Sequence, residues 1–122
     1  MKRTMTVGRP LTQIKSFYEY ENLARRFVLY PEAGSGSTLA LAYTALGLAG
    51  ESGEYTEKVK KLIRDGKLDK ALAAKELSDV LWYLTASANE LGYTLTDIAE
   101  INIVKLSDRA NRNVLQGSGD SR

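Results

Sequence analysis

One long helical segment constrains the fold of this 122-residue chain more than any other feature. From residue 39 to residue 65, apolar residues recur at about 100° per residue, and Gly66 follows as a typical helix stop. Residues 47–54 interrupt this segment with three glycines, each costing about 1 kcal/mol relative to alanine in a helix interior. We therefore expect close-packing glycines there, which let a neighbouring helix approach the backbone.

Three further segments show the same periodicity and predict an all-α, four-helix fold. Their expected bounds are 12–27, 69–91 and 95–111, with Ser16 and Glu19 as an alternative capping box inside the first and Thr94 or Thr96 as a cap for the last. No β-alternation or hairpin signal competes with this pattern. The chain is expected to be a single domain, residues 1–122, with a loose lead-in at 1–10 and an extended tail at 113–122.

Residues 29–37 form the connector between the first two segments. Pro31 stops regular structure, and the alternation of glycine and serine after it is typical of flexible chains. The connector is therefore expected to be a flexible linker, with a substrate-gating loop as the alternative.

Leucine-rich stripes on the third and fourth segments are expected to face the core. Their members include Leu77, Leu81, Leu84, Leu91, Ile98, Ile101 and Leu106. Trp82 projects from a polar face instead, which indicates either a subunit interface or a platform for a flat ligand such as a base. Aromatic residues on the polar side also suggest that a second subunit completes the bundle.

The residue types that are missing narrow the possible chemistry. The chain has no cysteine and no histidine, which excludes disulfides, thiolate sites, Ser-His-Asp catalysis and histidine-bound zinc or iron. A net charge of +2 is too small to indicate nucleic-acid binding. No stretch approaches the roughly 18 apolar residues of a membrane span, and the start of the chain lacks the apolar segment of a signal peptide. We expect a cytoplasmic protein that uses hard-metal chemistry on oxygen ligands, lysine chemistry, or no chemistry.

Two acidic pairs provide candidate metal ligands. Glu51 and Glu54 are three residues apart in the second segment, as are Glu76 and Asp79 in the third, so each pair projects from one side of its helix. Adjacent carboxylates repel unless a cation or protons compensate, and Mg²⁺ prefers such oxygen ligands. Either pair alone is ordinary surface charge. Both pairs on consecutive helices, one of them among three glycines, predict a four-carboxylate magnesium site.

Further polar residues are candidates for substrate contacts. Asn102, Lys105 and Arg109 lie on one stripe of the fourth segment, where they fit either an anionic substrate or a solvated edge. Lys58 shares the acid-bearing face of the second segment and fits an ion pair with nearby acids or a phosphate contact. Tyr83 lies almost in line with the acidic pair of its own helix, so its hydroxyl can reach a ligand or a carboxylate.

Together these residues resemble the MazG-like nucleoside triphosphate pyrophosphohydrolases. The resemblance is carried by Gly47-Leu48-Ala49-Gly50-Glu51-Ser52-Gly53-Glu54, Lys58-Val59-Lys60-Lys61, Glu76-Leu77-Ser78-Asp79-Val80-Leu81-Trp82-Tyr83-Leu84 and Asn102-x-x-Lys105-Leu106-x-x-Arg109. It covers residues 39–116, and residues 117–122 are similar to the tail of a short subgroup found in bacteria and phages. Ser78 and Tyr55 depart from the usual family pattern, which often has glycine and a small aliphatic residue there.

The resemblance implies an all-α fold in which dimers or tetramers build the sites. It implies hydrolysis of NTPs and dNTPs to the monophosphate and pyrophosphate with Mg²⁺, or Mn²⁺ as a substitute, in nucleotide-pool sanitation or control. The implied metal ligands are Glu51, Glu54, Glu76 and Asp79. The implied substrate contacts are Asn102, Lys105 and Arg109, and Lys58, Tyr83 and Trp82 complete our set of substrate-binding candidates.

The chemistry of the residues agrees with this activity. In a chain without histidine, a carboxylate or a metal-activated water must serve as the base, and Glu51 and Glu54 are our candidates for that catalytic role. The alternative is a non-catalytic helical dimer that binds a protein partner or a nucleotide without hydrolysing it. Such a protein needs the leucine stripes but not the four acids.

Overall fold

The computed structural model describes residues 13–122, and in this part of the chain it contains four α-helices and no strand. Helix α1 spans Phe17–Ala24 and continues as a short 3-10 turn over Arg25–Phe27, α2 spans Thr38–Asp65, α3 spans Lys70–Glu90 and α4 spans Leu95–Asn111. The predicted all-α fold is confirmed. Helix α1 begins later than predicted, since residues 13–15 are not helical. The expected lead-in at 1–10 and the expected helix start at Thr12 lie outside the described residues.

Side-chain caps explain where the helices begin and end. The Ser16 hydroxyl accepts a hydrogen bond from the Glu19 amide at 3.1 Å, so the later capping signal sets the start of α1. Thr94 and Asp97 form a complete capping box at the start of α4, with bonds of 3.0 and 2.8 Å. Helix α2 ends at Gly66, whose φ of +73° lies in the left-handed region that favours glycine.

Helices α2 and α3 run antiparallel and form the main packing unit. Small residues occupy buried positions on both helices, among them Ala40 and Thr44 on α2 and Ala86 on α3. Gly47 lies directly beneath the ring of Tyr83, and a Cβ added at this glycine would overlap that ring. The close approach predicted for the glycine-rich stretch is therefore found at Gly47.

The other two glycines of this stretch do not pack closely within the chain. A Cβ added at Gly50 or Gly53 would meet no atom within 4 Å. The close-packing interpretation is therefore wrong for these two positions within one chain. The reason is that α3 lies over the face of α2 that contains Gly47, while the faces that contain Gly50 and Gly53 are left uncovered.

Replacing Gly47 with alanine is expected to destabilise the chain by up to about 2 kcal/mol. Displacing the Tyr83 ring costs about 1–3 kcal/mol as overpacking, against a gain of about 1 kcal/mol in helix propensity. Gly50→Ala is the matched control, because it gains the same propensity in open space and is expected to be neutral or stabilising. Urea unfolding of both variants measures the difference, and equal free energies of unfolding would contradict the packing role of Gly47.

The connector between α1 and α2 is fixed to α3 by a buried carboxylate. Glu90 Oε2 accepts hydrogen bonds from the Tyr30 hydroxyl and from the Gly34 amide at 2.7 Å, and Oε1 accepts one from the Gly36 amide at 2.9 Å. Both glycines have positive φ, +81° and +70°, which directs their amides to the same carboxylate. The connector is therefore held in place, contrary to the flexible linker expected from its composition.

Much of the leucine-rich surface expected inside lies on the outside of the single chain. Leu77 of α3, Leu91 just after it, and Ile101 and Leu106 of α4 are exposed. On α2, Leu46 and Ile63, which lie outside the predicted stripe, are 73% and 83% exposed. The α2–α3 pair closes through smaller residues, so larger side chains on the remaining faces point outward. No helix in residues 13–122 combines the length and apolar character that crossing a bilayer requires.

Residues 113–122 fold back on α4 and are not extended as expected. A left-handed Asn113, with φ of +60°, turns the chain at the end of the helix. The Arg122 guanidinium then donates to the carbonyl oxygen of Val114 at 3.1 Å. These turns bring Asp120 into contact with α4.

Candidate active site

The α2–α3 pair brings together three of the four residues expected to bind metal. Carboxylate oxygens of Glu51, Glu76 and Asp79 lie within 4.8 Å of one another. Glu76 and Asp79 are one turn apart on α3, and Glu51 faces them from α2 across the antiparallel contact. This oxygen-only set fits Mg²⁺, which takes carboxylate oxygens and completes its octahedron with waters or phosphates.

The three-carboxylate cluster concentrates negative charge where Glu51 and Glu76 are half-buried and Asp79 is exposed. Burial raises the pKa of the Glu51 carboxyl, and the charges of Asp79, Glu76 and Glu54 raise it further. The Lys58 ammonium lies 4.0 Å from the Glu76 carboxylate and compensates part of this charge. In the single chain, Lys58 therefore forms the ion pair that was one of its two predicted roles. Like charges in this arrangement are stabilised by a divalent cation.

Glu54 lies beside the cluster and not within it. It is exposed, and its charge is the smallest of the contributions that raise the pKa of Glu51. The ligand and catalytic roles expected for Glu54 stay predictions. Its carboxylate lies next to the three acids and is open to solvent.

Two tyrosines close the end of the cluster nearest the connector. Burial raises the pKa of the Tyr83 hydroxyl, as do the neighbouring Tyr43 and the charge of Glu51. Tyr83 thus lies next to the acids, where its spacing on α3 placed it. Tyr43 is not among the residues that the sequence patterns singled out. The signal was present, because Tyr43, Gly47 and Glu51 repeat every four residues along one face of α2.

Helix α1 contributes a further residue that the sequence patterns did not indicate. Burial raises the pKa of Tyr20, a hydrogen bond with Thr85 lowers it, and the charge of Asp79 raises it again. Tyr20 therefore lies near the acidic cluster on the side that α1 covers. Nothing in the local pattern of α1 predicts this position of Tyr20, because it depends on how the helix packs against α3.

Trp82 is partly buried and packs against residues of its own chain. Its indole meets the ring of Tyr30 edge-on, with centroids 6.3 Å apart, and its Nε1 donates to the Ala24 carbonyl at 3.4 Å. The face of α3 that contains Trp82 was predicted to be polar because the residues beside Trp82 on the helical wheel are polar. Helix α1 and the connector cover part of that face, so the indole packs against the chain's own core. Its expected role as a subunit interface or a base platform stays a prediction.

Among the described residues, the polar stripe of α4 forms no ion pair or hydrogen bond with the acidic cluster. Asn102 is exposed, while Lys105 and Arg109 form ion pairs with Asp120 of the folded-back tail, each at 2.9 Å. Helix α4 packs against α1 and the end of α3. Substrate contacts by these three residues stay predictions, and within the described chain the two cations are engaged by the tail.

These features define an all-α protein whose antiparallel helix pair carries a centre of three carboxylates. A family model described as the MazG nucleotide pyrophosphohydrolase domain matches residues 40–114, which contain all four acids, and the chain belongs to this family. It is also similar to the "Gene 37 protein" of Mycobacterium phage L5, with 38% identity over 109 residues, covering 84% of this chain and 96% of that protein. No solved structure matches the chain significantly. Enzymes of this family generally depend on a divalent metal, in agreement with the oxygen-only centre.

Proposed function

We propose that this chain hydrolyses nucleoside triphosphates to the monophosphate and pyrophosphate with Mg²⁺, or Mn²⁺ as a substitute. The observation that supports this most is the cluster of Glu51, Glu76 and Asp79, whose oxygens lie within 4.8 Å of one another. Family membership supports the same class of reaction. The proposed role is nucleotide-pool sanitation or control in the cytoplasm.

In this mechanism Glu51, Glu76 and Asp79 would hold Mg²⁺, which would supply positive charge to neutralise the triphosphate and polarise its phosphorus–oxygen bonds. Glu54 is our candidate for the residue that orients or deprotonates the attacking water, because its carboxylate is exposed and lies outside the three-acid group. Glu51 is the other candidate. Lys105 and Asn102 contact the phosphates or the sugar, and Lys105 stabilises the charge that develops on the pyrophosphate leaving group.

We further propose that a homodimer or homotetramer completes this site. Two observations support an assembly. The first is the number of large apolar side chains that are exposed on the single chain, including Leu46 and Ile63. The second is that Lys105 pairs with Asp120 of the tail, while no described ion pair joins it to the acidic cluster of its own chain. A second copy would bring its α4 stripe to the acids.

The function is tested by pyrophosphate release from a panel of NTPs and dNTPs, with Mg²⁺ and with EDTA. Release that requires Mg²⁺ supports the proposal. A folded protein that turns over none of the nucleotides under either condition rules it out. Nucleotide binding without turnover in that experiment would favour the non-catalytic dimer.

Glu54→Gln separates the role of water positioning from that of metal binding. We expect kcat to fall about 10- to 100-fold, as for loss of a general base, because glutamine cannot take a proton from water. The Mg²⁺ concentration for half-maximal activity is expected to change by less than about twofold, since the three-carboxylate cluster stays intact. Steady-state rates across a Mg²⁺ titration measure both. A large shift in Mg²⁺ requirement at near-normal kcat would instead identify Glu54 as a ligand.

A further inference from the structure

The segment after α4 is organised as a compact turn. The Arg122 guanidinium donates to the carbonyl oxygens of Val114 at 3.1 Å, of Leu115 at 3.2 Å and of Gly119. Gly119 has a φ of +78°, and a Cβ added at Gly117 would come within 2.5 Å of the Arg122 side chain. The turn therefore favours glycine at position 119, and a side chain at position 117 would displace Arg122. One acidic side chain of this segment, Asp120, reaches α4.

Asp120 joins the two cations of the α4 stripe through a single oxygen. Its Oδ1 accepts hydrogen bonds from Lys105 Nζ and Arg109 Nη2, both at 2.9 Å, and Arg109 Nη2 also donates to the backbone oxygen of Asp120 at 3.3 Å. Charge-assisted bonds of this length are among the strong ones. They hold the pKa of Asp120 below its usual value, with the bond from Lys105 as the largest cause.

The two cations differ in how far a ligand can reach them. The side chain of Arg109 is 8% exposed and that of Lys105 is 40% exposed. A buried guanidinium needs a counter-charge, and Asp120 supplies it. The Arg109–Asp120 pair is neutral as a whole, so the remaining positive charge belongs to Lys105. An ammonium group has three hydrogen-bond donors, of which Asp120 takes one and leaves two for a phosphate.

We propose that Asp120 is a positioning residue that is anchored by Arg109 and orients the Lys105 ammonium toward the triphosphate. This assignment rests on the proposed function, in which Lys105 contacts the substrate. A lysine on its flexible stem loses rotamer freedom when it binds a phosphate, and holding it in place beforehand lowers that cost. Arg109 then anchors the tail and does not itself touch the triphosphate.

A double-mutant cycle on the full chain tests this assignment. Asp120→Ala and Lys105→Ala are each expected to lower kcat/KM for a turned-over nucleotide about tenfold, and the double variant is expected to be no worse than Lys105→Ala alone, because Asp120 acts through the lysine. Asp120→Glu keeps the carboxylate and is expected to recover part of the loss. Asp65→Asn is the matched control: it removes an exposed carboxylate paired with Arg64 at the far end of α2 and is expected to leave kcat/KM unchanged.

Several results would overturn the assignment. Tighter substrate binding by Asp120→Ala would show that the carboxylate competes with the triphosphate for Lys105. Losses that multiply in the double variant would show that the tail acts through the fold, and so would failure of Asp120→Glu to recover activity. An unchanged kcat/KM in Asp120→Ala would show that the carboxylate does not act on Lys105.

Calorimetric binding of inorganic tripolyphosphate with Mg²⁺ separates this proposal from the proposed function, because it needs no turnover. Affinity about tenfold weaker in Asp120→Ala supports the positioning role even if the wild-type chain hydrolyses no nucleotide. If the wild type turns over nucleotide but Asp120→Ala binds tripolyphosphate as tightly as the wild type, the positioning role of Asp120 is wrong while the proposed function stands.

Discussion

An Asp79→Asn variant is expected to lose at least about 100-fold of Mg²⁺-dependent pyrophosphate release, in the range seen when a group that stabilises transition-state charge is removed. Asparagine keeps the shape of the side chain but removes one of three negative ligands. Only Glu51 and Glu76 would then offer negatively charged oxygens to the cation. Because Mg²⁺ dehydrates reluctantly and relies on carboxylate charge, this change weakens both metal binding and the bridge to the substrate phosphates.

The same substitution is expected to change stability in the opposite sense when metal is absent. Among its neighbours, Asp79 is the one whose charge does most to raise the pKa of Glu51, which means that the folded chain holds these carboxylates at an electrostatic cost. Removing one charge lowers that cost, so the metal-free variant is expected to melt at the same temperature as the wild type or higher. Mg²⁺ is expected to stabilise the wild type and to have little effect on the variant, because a ligand stabilises only in proportion to its occupancy.

Glu57→Gln is the matched control for this prediction. Glu57 is on the same helix as Glu51, but its carboxylate pairs with Lys60 at 3.0 Å on the surface. This control is expected to keep both the turnover and the Mg²⁺-dependent rise in melting temperature. Thermal melts and pyrophosphate assays with and without Mg²⁺ measure the full set. Near-normal turnover by the Asp79→Asn variant would show that the three-carboxylate cluster takes no part in the mechanism.

The helices and the acidic pairs could be predicted from the sequence because they depend on short-range patterns. Helical periodicity and local caps such as Thr94 placed the boundaries of α2, α3 and α4 within about two residues, the usual uncertainty of helix ends. The spacing of Glu76 and Asp79 determines that they share one face of α3 whatever packs around them. Two such pairs on consecutive helices were enough to indicate where the helices meet.

The remaining errors concern which surfaces neighbours cover. The wheel of α3 shows that Trp82 and Leu77 point in different directions, but only the placement of α1 decides that the tryptophan is partly buried against the core and the leucine exposed. The same holds for Gly50, which shares its helix with Gly47 but not its contact with Tyr83. The folded tail depends on hydrogen bonds from the long Arg122 side chain, and no periodic pattern in the sequence indicates them.

Replacing Glu90 with alanine is expected to lower the free energy of unfolding by about 3–5 kcal/mol, the cost of removing one member of a buried charged network. Glu90 is 7% exposed, and its carboxylate is the shared acceptor for the Tyr30 hydroxyl and for the amides of Gly34 and Gly36. Alanine leaves these donors without their acceptor and releases the connector from α3. Tyr30 also stacks on Tyr43, with centroids 5.4 Å apart, so the loss extends to the tyrosines beside the candidate site.

The pH dependence of stability gives this prediction a second, independent signature. Burial raises the pKa of Glu90, but the hydrogen bonds from Tyr30 and the two glycine amides outweigh it, and the pKa is lowered in the folded chain. The unfolded chain therefore binds the proton more readily. The contribution of Glu90 to the free energy of unfolding is complete above the unfolded pKa of about 4.3 and is lost as pH falls through the lower folded value.

Urea unfolding is expected to show that stability declines less steeply toward acid pH in Glu90→Ala than in the wild type. Glu100→Ala, which removes an exposed acid of α4, is expected to keep the wild-type profile. Matching profiles for Glu90→Ala and the wild type would show that the connector is not held by this carboxylate.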